Sequence, residues 1–163
     1  MAALEAGKAA PEISLPGVQG GRFSLRQALT RGPLVVVFFK ISCPVCQYAL
    51  PFLERLYRAH QGKVSLVGVS QNPKKDTEGF LREYSISFPV LLDDTSAYPV
   101  SNAYGLTNVP TVFLISSGGE IEVSSVGWSR QNLEEINRRV SKVAAPPAAL
   151  FHRGEEIPDY TAG

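Results

Sequence analysis

The chain has 163 residues, 44% hydrophobic and 19% charged, which fits one globular domain with a substantial core and a little left over. Its net charge is +1 and its basic residues are scattered, with short clusters only at Lys74-Lys75 and Arg138-Arg139, so it lacks the basic face that a nucleic-acid partner needs. The longest apolar run, Pro33 to Phe39, is too short to span a membrane.

The opening "MAALEAGKAAPEIS" has no apolar h-region. The chain as given is therefore expected in the cytoplasm, or in the periplasm or another extracytoplasmic space if a signal has been removed. It is expected to be a monomer.

In chain order, "VVVFF" (Val35 to Phe39) is a β-branched and aromatic run, as in a strand buried on both faces of a parallel sheet. "CPVC" comes four residues later and opens a helical pattern, with Val45, Ala49, Phe52, Leu53 and Leu56 on one stripe. Pro44 suits the first helical turn, where its missing N–H would have no partner, and Pro51 is expected to kink the helix. "VSLVGVS" (Val64 to Ser70) is a second buried strand, followed by the loop "QNPKKD".

A helix is predicted from Asp76 or Thr77 to Tyr84, with Phe80, Leu81 and Tyr84 inward. Phe88 to Asp93 reads as a short strand, and a helix near Val100 to Tyr104 stops at Gly105. "PTVFLISSGGEIEVSSVG" contains two strands joined through Gly118-Gly119, a hairpin. Ser129 is the predicted N-cap of a last helix that buries Leu133, Ile136, Val140 and Val143. Glu134 with Arg138, and Glu135 with Arg139, are predicted i,i+4 pairs on its outer face.

Early βαβ units followed by a hairpin imply an α/β fold, a mixed central sheet flanked by helices. The domain is placed at residues 1–145, and 146–163 is read as an extended tail, docked through Leu150 and Phe151.

The chain has only two cysteines, Cys43 and Cys46, both inside "SCPVCQ". A strand feeding into C-x-x-C at a helix start puts Cys43 at the N-cap, where unpaired N–H groups and the positive end of the helix dipole favour a thiolate. Cys46, one turn on, is positioned to resolve a mixed disulfide.

Two other readings stand beside this redox pair. A structural staple is a weak explanation, because so short a loop constrains the unfolded chain little. A metal site is weaker, because zinc needs two more ligands and the two histidines, His60 and His152, lie far apart in sequence. His60, near a helix end, is read as solvated or as a C-terminal cation.

"FFKISCPVCQYALPFLERL" resembles the active-site segment of the thioredoxin-like superfamily, and most of all the TlpA/ResA-like thiol–disulfide oxidoreductases within the wider redoxin (AhpC/TSA) group. "GKAAPEISLPGVQGGRFSLRQAL" resembles their N-terminal hairpin lead-in, and Pro51 stands at the position of their helix-kinking proline. "GLTNVPTVFLI" resembles the segment that carries their cis-proline, and "SSGGEIEVSSVGW" resembles their closing hairpin. The match covers about residues 8 to 144.

The resemblance implies a thioredoxin fold with an N-terminal hairpin extension. It implies exchange of a Cys43–Cys46 dithiol or disulfide with protein substrates, fed by an upstream electron donor or acceptor. Val109, Pro110 and Thr111 would shape the docking groove. No metal and no dissociable cofactor is implied.

Where relatives carry a buried carboxylate or a glutamate near the second cysteine, this chain has Val37 and Gln71. Lys40, Gln71 through a water, and solvent are then the candidate proton acceptors for Cys46. The charge of Lys40 is also expected to favour the Cys43 thiolate. Ser42 replaces the thioredoxin tryptophan.

A peroxiredoxin-like hydroperoxide reductase is the first alternative. However, its P-x-x-x-T-x-x-C pattern would need proline at Phe39 and threonine at Cys43. A non-catalytic binding module with the same fold is the second, and such a module would have no need of paired cysteines.

Overall fold

The computed structural model describes residues 2–60, 63–144 and 149–163. The expected inward face of Val143 lies outside the described side chains, and the first residues of the expected tail, 146–148, lie outside the described residues. Nine strands and five α-helices follow in order among the described residues. They begin with a hairpin of β1 (Ser14–Pro16) and β2 (Arg22–Ser24), then the short α1 (Leu25–Ala28) and a 3₁₀ turn.

The run Leu34–Phe39 forms β3, and all six of its residues are buried. It can be apolar throughout because it is covered on both faces and paired along both edges. It runs parallel to β4 (Ser65–Ser70) and antiparallel to β6 (Thr111–Ile115). β5 (Val90–Leu92) lies parallel to the far side of β4, and β7 (Ile121–Val126) pairs antiparallel with β6, giving the sheet order β5-β4-β3-β6-β7.

Alternate residues of β3 enter two cores. Val35, Val37 and Phe39 pack with Leu50, Leu53 and Leu56 of α2 (Pro44–Ala59), Phe80 of α3 (Lys74–Glu83), and Leu133, Ile136 and Val140 of α5 (Arg130–Ala144). Leu34, Val36 and Phe38 pack on the opposite face with Ile13, Leu15, Tyr104 and Phe113. Each such buried side chain contributes about 1.5–3 kcal/mol of transfer free energy. Gly68 in β4 is required by a close approach, since a Cβ there would meet the rings of Phe39 and Phe88 at 3.1 Å each.

Several sequence expectations are adjusted. α3 starts at Lys74, directly after Pro73 and ahead of the expected Asp76 or Thr77; the Thr77 hydroxyl turns back to the Pro73 carbonyl at 2.9 Å. β5 is shorter than Phe88–Asp93, because Phe88 is buried in the core and the Asp93 carboxylate turns toward α4 (Pro99–Ala103). Ser129 caps α5 as expected, accepting from the Asn132 N–H at 3.2 Å.

Among the ion pairs, Glu134 bonds Arg130 at 3.2 Å instead of Arg138, which pairs with Glu135. Arg139 holds Glu135 at 2.7 Å as expected and also reaches Glu122 on β7 at 3.0 Å.

His60 is the clearest correction. It caps the C-terminus of α2 but is buried, only 3% exposed, and among the described residues neither ring nitrogen has a hydrogen-bond partner.

The tail is bound to the rest of the chain. Leu150 is buried, and Phe151 joins an aromatic cluster with Phe52 and Trp128. β9 (Tyr160–Thr161) pairs antiparallel with β8 (Trp128–Ser129).

Candidate active site

β3 delivers the chain to Lys40, and three residues turn it into α2. Two side chains that the sequence reading passed over fix that turn. Asn72 Oδ1 accepts the Ile41 N–H at 2.9 Å, and Gln47 Nε2 donates to the Ile41 carbonyl at 2.9 Å. Cys43 then takes the N-cap with extended backbone (φ −85°, ψ 116°), and Pro44 occupies the first helical position. The helix continues through Pro51, which lacks the N–H that would have bonded the Gln47 carbonyl.

The two sulfurs sit in different surroundings. Cys43 is half-buried between exposed Ser42 and Pro44. Its sulfur accepts the Cys46 backbone N–H at 3.3 Å, and its thiol donates to the Val109 carbonyl at 3.4 Å. Cys46 is fully buried in the core beneath it, and both are free thiols. Burial pushes the Cys46 thiol far up from the ordinary cysteine value. The Lys40 backbone N–H and its positive charge pull the other way, and the neighbouring Cys43 sulfur adds to the rise. Lys40 thus acts on Cys46 through both its N–H and its charge.

The loop across from the cysteines carries the second half of the site. The Val109–Pro110 peptide is cis, as the resemblance implies. Thr111, fully buried at the start of β6, donates its hydroxyl to the Asn108 carbonyl at 2.7 Å and ties the loop to the sheet.

Gln71 directly follows the end of β4 and lines the same cavity as Lys40 and Val109. Its amide donates to Ser101 Oγ at 2.9 Å, and Ser101 in turn donates to the Asp93 carboxylate at 2.6 Å. Asp93 also accepts the Val100 and Ser101 N–H groups at the start of α4. No local pattern in the sequence links these three residues, which become neighbours only when β4, β5 and α4 pack.

A cavity of about 230 Å³ lies beside the site, lined by Lys40, Gln71, Tyr98, Ser101, Asn108 and Val109. Among the described residues no group of three or more His, Cys, Asp or Glu is arranged to hold a metal ion. No helix among them is long and apolar enough to cross a membrane.

A mixed five-stranded sheet, a C-x-x-C at the start of the helix leaving its central strand, and a proline loop whose carbonyl meets the first sulfur define a thioredoxin-fold redox protein. Comparison with known proteins agrees. The AhpC/TSA family model matches residues 6–124, and the chain belongs to that family.

The thiol-disulfide oxidoreductase ResA of Halalkalibacterium halodurans is 32% identical over 134 residues, covering 80% of this chain and 74% of that protein. The thioredoxin domain of a thiol-disulfide oxidoreductase from Bacteroides vulgatus has the same fold, with a TM-score of 0.73 and 21% identity over 86% of this chain and 99% of that one. The peroxidoxin BcpB of Mycobacterium tuberculosis shares it too, with a TM-score of 0.73 and 18% identity over 87% and 99%.

Proposed function

We propose that this chain is a thiol–disulfide oxidoreductase in which Cys43 attacks, Cys46 resolves, and the Val109-Pro110-Thr111 loop positions a protein substrate. The observation that carries this reading is the placement of the Cys43 sulfur. It is half-exposed at a helix N-cap between the Cys46 N–H and the Val109 carbonyl, with the partner thiol buried one turn behind. The N–H groups of the first turn stabilise a thiolate at that spot.

In the reducing direction, the Cys43 thiolate attacks one sulfur of a substrate disulfide. The substrate S–S bond breaks, a Cys43–substrate disulfide forms, and the first substrate sulfur leaves as a thiolate that takes up a proton. Cys46 then gives up its proton and attacks the Cys43 sulfur. This forms the Cys43–Cys46 disulfide and releases the second substrate thiol. Two electrons and two protons pass to the substrate, all from the two cysteines, so no dissociable cofactor enters.

Burial holds Cys46 protonated until this second step. Lys40 is placed to stabilise the thiolate as it forms, and the departing substrate thiolate or solvent takes the proton. The reverse sequence oxidises a substrate dithiol, and the direction follows the potential of the pair against that of its surroundings.

A Cys46→Ser variant tests the roles. It should accumulate mixed disulfides through Cys43 when mixed with a disulfide-bonded protein such as insulin. In the unaltered reduced protein, iodoacetamide should modify Cys43 first. Faster labelling of Cys46, or peroxide turnover by a variant that traps no partner, contradicts this assignment.

A further inference from the structure

Residues 158–161 lie along Trp128 to Arg130, and Gly163 lies against the loop that carries Val109. On the way there the chain is clamped to α2, where Arg55 donates two hydrogen bonds to Glu155, both at 2.8 Å. The guanidinium holds the Glu155 carboxyl down to about 2, so this clamp stays charged across the physiological range. The Trp128 indole N–H then donates to the Pro158 carbonyl at 2.7 Å, and the Arg130 N–H to the Asp159 carbonyl at 2.9 Å. Ser129 pairs with Tyr160 and Trp128 with Thr161.

Beyond Thr161 the exposed backbone passes close to Gly127 and then to Val109. A Cβ on Gly127 (φ +77°) would lie 2.5 Å from the Thr161 carbonyl oxygen and 3.2 Å from the Gly163 nitrogen. A Cβ on Gly163 would lie 2.1 Å from the Val109 carbonyl oxygen. Asn108 Nδ2 holds the Gly163 carbonyl at 3.1 Å. The Val109 oxygen is the same atom that accepts the Cys43 thiol.

We propose that residues 160–163 are a resident occupant of the substrate groove between Val109 and Gly127, which a protein substrate must displace before it pairs with that loop. This rests on the reading that Cys43 exchanges disulfides with protein substrates. The groove accordingly fits an extended backbone with glycine against Val109, because the fit of Gly163 leaves no space for a side chain there. Cys43 remains reachable from the side of exposed Ser42 and Pro44, so a small disulfide meets its sulfur without moving the tail.

The test compares three reduced proteins in single-turnover reactions: the full chain, a version lacking residues 158–163, and full-length Gly163→Leu. The two probes are insulin and 2-hydroxyethyl disulfide. Truncation removes the Asn108 and β8–β9 contacts, and Gly163→Leu removes the fit of Gly163 against Val109 and Asn108, so both variants should react with insulin about tenfold faster, the equivalent of one or two net hydrogen bonds. Their rates with the small disulfide should match the full chain within about twofold. A peptide of residues 158–163 should slow the shortened protein toward the parent rate with insulin.

Gly163→Leu keeps the test valid in a full chain if the shortened one does not fold. An unchanged ratio of insulin to small-disulfide rates across the folded proteins overturns the proposal. Failure of the full chain to react with either probe overturns the exchange reading on which it rests.

Discussion

The thiol of Cys43 donates to the backbone carbonyl of Val109 at 3.4 Å, across sixty-six positions of sequence. That contact joins the β3–α2 turn to the loop before β6, two segments held together by the antiparallel pairing of Phe38 with Thr111 in the sheet. Any segment that pairs with the Val109 backbone is thereby brought beside the Cys43 sulfur.

The charge of Lys40 reaches the buried thiol. Lys40→Met should therefore slow resolution of a Cys43-bound mixed disulfide about threefold while leaving its formation nearly unchanged. The effect should shrink as salt is raised, because the lysine is exposed. Stopped-flow mixing with a preformed mixed disulfide separates the two steps.

Cys46 also links stability to alkaline pH. Its value in the folded, reduced chain lies above the ordinary 9.0, so burial of the neutral thiol contributes fully below pH 9. That contribution is lost as the unfolded chain begins to ionise above it. Unfolding free energies of the reduced protein from urea denaturation should fall between pH 9 and 10 with an added slope approaching about 1.4 kcal/mol per pH unit. A Cys46→Ala variant, less stable overall, should lack that added slope.

Glu54 on α2 carries the opposite dependence. Burial alone would raise its carboxyl. The Ser87 hydroxyl, the Arg58 guanidinium and the Ser87 and Phe88 N–H groups all bond to it, and together they lower it below the usual 4.5. Its stabilisation is present above that pH and is lost as pH falls through the folded value. Glu54→Ala should cost about 2–4 kcal/mol in urea denaturation at pH 7, since it removes the acceptor of the Ser87 and Phe88 N–H groups and of the Ser87 hydroxyl. The loss should shrink toward pH 3.

His60 presents a buried polar ring without a partner among the described residues. Replacing it with leucine should raise the unfolding free energy by about 1 kcal/mol, measured by the same denaturation, because no hydrogen bond is lost and a desolvated polar group is removed.

Features written into short windows were legible in the sequence. The β-branched run of β3, "CPVC" with Pro44 after it, the glycine hairpin and the Ser129 cap each depend on a few adjacent residues. The loop around Pro110 needed the resemblance, because a proline before a strand has no local mark of its geometry.

The features that escaped depend on distant partners. Glu54 is satisfied by residues more than thirty positions away, and Gln71 faces Ser101 at a separation of thirty. Arg130 captures Glu134 from inside the first turn, a competition that spacing alone does not settle. The tail carries no periodic pattern, and its position follows from Trp128 and Arg55, which lie on other elements.

The central claim is that Cys43 and Cys46 form one reversible two-electron couple. Equilibration in glutathione buffers, acid quenching, alkylation and mass mapping of both cysteines tests it most directly. The account predicts a single transition in which the fraction oxidised follows the ratio of squared glutathione to its disulfide, with the Cys43–Cys46 disulfide as the product. Glutathione adducts on one cysteine across the whole range, or cysteines that change only with peroxide and consume it catalytically, would contradict it.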